Sequence, residues 1–185
     1  MLEIEHCFLY GTIILAAFLI YYAVKGRSIK YMIRFAVLWT YFNCVIAVTM
    51  FPLPIDPAHK EYMSNIWYNL IPFKVISETL KSGNIINIML QICGQALMAF
   101  PYGVYIGSRK RRVTEYAGYS ILFPAVIETA QLLYGVITGI YYRCFDVDDF
   151  ILNSAGSVLG ILCSRIIANT KTGKRILEWL VNMSQ

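Results

Sequence analysis

Five long apolar segments are the feature of this sequence that most limits its fold. They run from about residue 7 to 24, 32 to 51, 85 to 106, 116 to 138 and 150 to 168. Each approaches the ~20 residues that a helix needs to cross a bilayer. Hydrophobic residues make up 58% of the 185-residue chain, which exceeds the apolar share of a soluble domain. We therefore predict an all-α protein, a single polytopic membrane domain over residues 1–185 with about five transmembrane helices.

Basic residues alternate between the links that join these segments. Of the 16 lysines and arginines, only Lys60, Lys74, Lys81 and Arg143 lie in the second and fourth links. The positive-inside rule places the other basic residues in the cytoplasm, which puts the N-terminus outside and the C-terminus inside. Because these basic loops account for the net charge of +5, we expect no nucleic-acid partner.

The connection over residues 52–84 lies on the expected outer face. It opens with a proline-rich stretch that cannot continue a helix, and aromatic residues surround Pro72. This pattern favours a re-entrant or interfacial segment with a short helix at about residues 75–80. A covering lid and a ligand-contacting segment explain it equally well. The tail over residues 172–185 is typical of an interfacial helix, so membrane lipids are the expected partners.

Three of the predicted helices carry polar or small residues at helical spacing. The stripes are Asn84, Asn87, Gln91 and Gln95; then Glu128, Gln131, Gly135 and Thr138; then Asp149, Asn153, Gly156, Gly160 and Ser164. Lipid disfavours such stripes, so we expect the three helices to face one another. Close packing and hydrogen bonds between helices explain most of these residues, and we interpret Gly156 and Gly160 as structural.

Glu128 is the strongest functional candidate within an apolar segment. An ionisable group there costs about 2.5–3.5 kcal/mol on insertion scales, so it usually faces the protein interior and has a function. At ~1.5 Å per residue, Glu128 lies roughly 15 Å below the outer end of its helix, near mid-membrane. A buried carboxyl, neutral or paired with Arg143, is the alternative. We favour a function, because packing alone does not require a carboxyl at this position.

The acidic link that precedes the fifth segment allows three interpretations. Asp146, Asp148 and Asp149 could hold a divalent cation together with Glu128. Arg143 could instead bind a phosphate or carboxylate, and Asp149 could cap the following helix. We favour Asp149 as the cap, Arg143 as the anion or carboxylate partner, and Asp146 as an exposed catalytic candidate. No motif supports a metal site, so we predict neither a metal nor another cofactor.

Several short motifs in a fixed order resemble those of VanZ-like membrane proteins over about residues 35 to 165. They are Thr49-Met-Phe51-Pro52, Asn69-Leu-Ile-Pro72-Phe73, Pro101-Tyr-Gly103, Glu128-x-x-Gln131, Arg143-x-x-Asp146-x-x-Asp149 and Asn153-x-x-Gly156-x-x-x-Gly160. One departure is Gly94-Gln95, where the family commonly has Gly-Asn. Gln95 offers the same donor and acceptor as asparagine. The resemblance makes Asn69 and Gln95 ligand-binding candidates, and Pro72, Pro101 and Asp149 structural ones.

The resemblance implies a multi-pass protein of the bacterial plasma membrane, in a family whose founding relatives are associated with low-level teicoplanin resistance. Two functions follow as hypotheses. One is a non-enzymatic envelope factor that acts on a glycopeptide through an outward-facing polar site. The other is an enzyme for a lipid-linked or cell-wall substrate, with Glu128 as general acid or base. In the enzyme, Arg143 would hold the head group, and Gln131 and Asn153 would orient it.

Overall fold

The computed structural model describes residues 1–56, 68–142 and 145–181. These residues contain seven helices and two short strands, and five of the helices are long and apolar enough to cross a membrane. The elements are α1 Ile4–Val24, α2 Ile29–Met50, β1 Tyr68–Asn69, α3 Lys74–Lys81, α4 Ile85–Gly107, α5 Val113–Thr138, β2 Phe145–Asp146, α6 Val147–Ile167 and α7 Lys171–Val181. The predicted all-α bundle with five spanning helices is confirmed. The orientation and the single membrane domain stay predictions.

The described residues divide into two compact units, and α1 and α2 form the first. Ser28 caps α2 by accepting a hydrogen bond from the main-chain nitrogen of Tyr31 at 3.3 Å. The indole nitrogen of Trp39 donates to the carbonyl of Gly11 at 2.9 Å and so joins the two helices. A main-chain bridge between Leu2 and Leu53 joins the residues before α1 to those after α2.

The second unit is organised by the close packing of α4 against α6. Gly156 lies against the main chain of Ala96, Gly160 against that of Phe100, and Gly103 against Ser157. A Cβ atom at any of these glycines would overlap the facing backbone. Residue numbers rise together along both helices, so α4 and α6 run parallel. Small residues allow this close approach, which supplies packing between helices in lipid.

Helix α5, which lies between α4 and α6 in the sequence, packs on both helices. The rings of Tyr102 on α4 and Phe123 on α5 stack with centroids 4.7 Å apart. The Tyr102 hydroxyl also donates to the carbonyl of Tyr119 at 3.2 Å. Pro101 lies inside α4 and a buried Pro124 inside α5. The polar stripes of the three helices therefore lie in one bundle.

The described part of the connection between α2 and α4 forms the short helix α3, as the sequence predicts. Phe73 precedes it in the left-handed conformation, with φ 64°. The Thr79 hydroxyl donates to the Gln91 side chain at 2.7 Å and fixes α3 to the first turns of α4. Residues 57–67 of the predicted connection lie outside the described residues.

Candidate functional site

The site begins with a parallel pairing of two short strands that are distant in sequence. In the register, Tyr68 pairs with Phe145 and Asn69 with Asp146. The Asn69 amide nitrogen donates to the Asp146 carboxylate at 2.8 Å. The Asn69 side-chain oxygen Oδ1 accepts from the main-chain nitrogen of Ile71 at 3.2 Å. This pairing places the segment before α3 beside the start of α6.

Asp146 is the N-cap of α6. Its carboxylate accepts from the main-chain nitrogen of Asp148 at 2.8 Å, and its backbone is extended. The prediction of Asp149 as the cap is therefore wrong, because the helix begins at Val147 and Asp149 lies in its first turn. The prediction of Asp146 as an exposed group is also wrong, because only 9% of Asp146 is exposed. Both errors arise because an acidic stretch resembles a hydrated link, whereas here its carboxylates bind backbone.

Asp148 caps a different helix from the one that contains it. Its carboxylate accepts from the main-chain nitrogens of Phe73, Val75 and Ile76, with distances of 2.8 Å to Val75 and 3.1 Å to Ile76. These nitrogens lie at the N-terminus of α3, where helix N–H groups lack partners and the dipole favours negative charge. From the sequence, Asp148 is expected only as one member of the possible cation site. One indirect sequence feature points to this role. Phe73 precedes α3 and cannot cap it, so α3 has no capping side chain of its own.

Glu128 lies on α5 beside the first residues of α6. It is 2% exposed, and its Oε2 accepts from the main-chain nitrogen of Asp146 at 3.3 Å. Together, Glu128, Asp146 and Asp148 form what we call the acidic cluster. Two of its carboxylates come from the start of α6, and one comes from the interior of α5.

The link between α5 and α6 folds back along α5, which explains how residue 146 reaches residue 128. Gly139 ends α5 in the left-handed conformation, with φ 71°. The Tyr141 ring then lies against Gly135, and the Tyr142 ring lies 5.3 Å from that of Tyr134. The cluster therefore lies roughly 15 Å from the C-terminal end of α5, at ~1.5 Å per residue. The start of α6 is thus recessed within the bundle.

A pair of amides joins α4 to α6 farther along the helices. The Asn153 amide nitrogen donates to Gln95 Oε1 at 3.0 Å and to the Asp149 carbonyl at 2.9 Å. Asn153 is 1% exposed. Within the described part of the chain, no group donates to its Oδ1. This buried acceptor is available to a donor from a ligand or water.

The structure brings together many of the sequence-predicted residues. Asn69 contacts Asp146, Glu128 binds the backbone of Asp146, and Gln95 binds Asn153. Gln131 lies about one turn beyond Glu128 on α5, at an intermediate exposure, and Pro72 precedes α3. Gly156 and Gly160 contact the α4 backbone. Arg143 lies outside the described residues, so its predicted anion-binding role stays a prediction.

The geometry of the cluster limits its chemistry. The carboxylates of Asp146 and Asp148 hold main-chain N–H groups and an amide, so they act as framework. Over residues 1–56, 68–142 and 145–181, no three Asp, Glu, His or Cys side chains are arranged to hold a metal ion. Among the described residues of the acidic cluster and the amide pair, the Glu128 carboxyl and the Asn153 acceptor are the candidates for ligand chemistry.

Comparison with known proteins identifies the family. No curated protein and no solved structure matches the chain. The sequence profile described as VanZ/LLP1 matches residues 35–168, which contain α4, α5, α6 and the acidic cluster. The match covers well over half of the chain and agrees with the resemblance in the short motifs. This multi-pass membrane protein therefore belongs to the VanZ/LLP1 family.

Proposed function

We propose that this protein is a plasma-membrane component of the bacterial envelope that lowers susceptibility to teicoplanin without chemically modifying the drug. The non-enzymatic part of this proposal rests on one observation: the carboxylates of Asp146 and Asp148 accept hydrogen bonds from main-chain N–H groups. A carboxylate that caps a helix is held by its hydrogen bonds and is poorly suited to proton transfer. Family membership and the resemblance to VanZ-like proteins support the link to glycopeptides.

The segment over residues 68–76 is the proposed contact surface for the ligand. Leu70, Ile71 and Phe73 are each about 60% exposed, beside hydrogen-bonding groups of the site. An apolar surface next to polar groups suits an amphipathic ligand at the membrane boundary. The acidic cluster holds this segment in place, and Asn153 offers an open acceptor within the bundle.

The charges at the other end of the bundle support an outward orientation of this surface. Because α4 and α6 are parallel, their C-terminal ends carry the basic stretch 109–112 and the basic helix α7 together. The positive-inside rule assigns that end to the cytoplasm. The contact surface and the acidic cluster then lie toward the outer face, where a glycopeptide acts.

Expression in a susceptible Gram-positive host tests the proposal. We expect the wild-type protein to raise the minimal inhibitory concentration of teicoplanin more than that of vancomycin, relative to an empty vector. Mass spectrometry of teicoplanin recovered from the culture should show the intact drug. No change in teicoplanin susceptibility at verified membrane expression would contradict the proposal. Modified drug would contradict its non-enzymatic part.

Glu128 supports a second candidate, an enzyme that acts on a lipid-linked or cell-wall substrate. Unlike the two aspartates, Glu128 caps no helix, and it is a buried carboxyl that accepts a main-chain hydrogen bond. Such a group can serve as general acid or base. Mass spectrometry of lipid-linked cell-wall precursors, from cells with wild-type protein or with Glu128→Gln, distinguishes the candidates. A precursor change present only with the wild type would favour the enzyme.

A further inference from the structure

The C-terminal ends of α4 and α6 meet at the end of the bundle opposite the acidic cluster. A Cβ atom at Gly107 would overlap both the Ser164 hydroxyl and the main chain of Ile161. The link after α4 and helix α7 after α6 therefore start side by side. We call residues 108–116 and 164–181 the basic end.

Positive charge dominates the basic end. Its two acidic residues each have a basic partner, Glu115 with Arg111 at 3.7 Å and Glu178 with Lys174 at 3.9 Å. Against these two acidic residues, the basic end contains eight basic ones, which leaves an excess of six positive charges. The eight are Arg109, Lys110, Arg111, Arg112, Arg165, Lys171, Lys174 and Arg175.

Aromatic side chains give the link 108–112 a defined shape. The Arg111 guanidinium lies 4.4 Å from the Tyr119 ring centroid, and its Nη1 donates to the Tyr119 hydroxyl at 3.2 Å. The Tyr116 hydroxyl donates to the Arg109 carbonyl at 2.7 Å and accepts from the Arg111 main-chain nitrogen at 3.2 Å. This arrangement keeps Arg111 half-buried and leaves its basic neighbours exposed.

Helix α7 presents basic side chains on its exposed face. Gly173 and Leu177, one turn apart, are buried, and Leu177 is 5% exposed. Lys171, Lys174 and Arg175 are exposed. An amphipathic helix with such a polar face is suited to the boundary between membrane and water.

We propose that the basic end binds the head groups of anionic phospholipids. The excess charge adjoins the ends of three membrane-spanning helices, where phospholipid head groups are the most concentrated anions. Each lysine or arginine near an anionic membrane surface contributes about fivefold to the affinity. This binding is independent of the proposed effect on teicoplanin, because it uses the opposite end of the bundle.

Native mass spectrometry of the full-length protein in detergent tests the proposal. The probes are phosphatidylglycerol, which is anionic, and phosphatidylcholine, which is zwitterionic. We expect tighter binding of phosphatidylglycerol to the wild type. The triple variant Lys171→Gln, Lys174→Gln, Arg175→Gln should bind it on the order of 100-fold more weakly, because three charges are removed at about fivefold each.

A second triple variant is the matched control. Lys25→Gln, Arg27→Gln and Lys30→Gln remove the same number of charges from exposed positions at and beside the link between α1 and α2. This variant should weaken phosphatidylglycerol binding less than the α7 variant, because fewer basic residues surround these positions. Circular dichroism and size-exclusion chromatography establish that both variants are folded. If the α7 variant misfolds, Arg109→Gln with Lys110→Gln and Arg112→Gln replaces it.

Three results would overturn the proposal. They are equal affinity of the wild type for both lipids, equal losses in the two triple variants, or full displacement of phosphatidylglycerol by inorganic phosphate at matched ionic strength. The last result would indicate a simple anion site. Weak displacement by phosphate, together with a larger loss in the basic-end variant than in the control, supports lipid recognition.

Discussion

Asp148 at the start of α6 holds the first turn of α3 through the main-chain nitrogen of Val75, which lies 2.8 Å from its Oδ2. The two residues are separated by 73 positions in the chain. Because the carboxylate also binds the main-chain nitrogens of Phe73 and Ile76, one buried side chain holds the N-terminal turn of α3. Asp148 therefore links the bundle to the proposed contact surface.

Replacing Asp148 should loosen the first turn of α3. Asp148→Ala removes three hydrogen bonds to a charged acceptor, and we expect a loss of about 2–3 kcal/mol in the free energy of unfolding. Hydrogen–deuterium exchange of the amides at residues 73–77 measures the local effect and should become faster. Glu78→Ala, an exposed change on the same helix, is the matched control. Unchanged exchange in Asp148→Ala would contradict the capping role.

Substitutions of Glu128 should separate its acceptor role from its charge. Glu128→Gln retains an oxygen for the main-chain N–H of Asp146, so its folded yield should stay near that of the wild type. Glu128→Ala leaves that buried N–H without its partner and should cost about 1–3 kcal/mol. Yield and thermal stability in detergent report the difference. Glu115→Gln, on an exposed turn of α5, is the control.

A methyl group at Gly156 should force α4 and α6 apart, because it would overlap the Ala96 carbonyl. We expect Gly156→Ala to destabilise the protein by about 1–3 kcal/mol, the range for overpacking. Gly118→Ala on α5 is the matched control, since nothing lies within 4 Å of an added Cβ there. Thermal unfolding in detergent provides the measurement. Equal melting temperatures for the two variants would contradict the close approach.

The elements that the sequence predicts well are those decided by local composition. The spanning helices extend over 18 or more residues of high mean hydropathy, and membrane length makes such segments recognisable. The glycines of α6 were likewise interpretable, because lipid leaves small residues few roles besides packing. In each case, residues close together in the sequence are enough to predict the structure.

The parts that sequence reasoning missed depend on contacts between distant residues. Asp148 binds main-chain nitrogens more than 70 positions away, and no local sequence pattern predicts that contact. The fold-back of residues 139–142 onto α5 places the start of α6 deep in the bundle. Helix α6 begins at Val147, earlier than predicted, with Asp146 as its N-cap and Asp149 in its first turn. Asp146, which the sequence predicts to be exposed, is buried by its capping role.

The orientation of the bundle is accessible to reporter fusions. The basic end should be cytoplasmic, because the positive-inside rule acts on its short basic links. A fusion after Ser108 should therefore give a cytoplasmic signal, and one after Tyr142 an external signal. Full-length protein with a C-terminal reporter should match the Ser108 fusion. A cytoplasmic signal at Tyr142 would invert the bundle and remove the proposed site from the outer face.

The dependence of teicoplanin susceptibility on Asp148 tests the central claim most directly. The measurement compares the minimal inhibitory concentrations of teicoplanin and vancomycin in one susceptible host with wild type, Asp148→Ala or Glu78→Ala at equal membrane levels. We predict that the wild type and Glu78→Ala raise the teicoplanin value alike, and that Asp148→Ala loses most of this increase because the first turn of α3 is loosened. An increase retained in full by Asp148→Ala, or none in the wild type, would contradict the account.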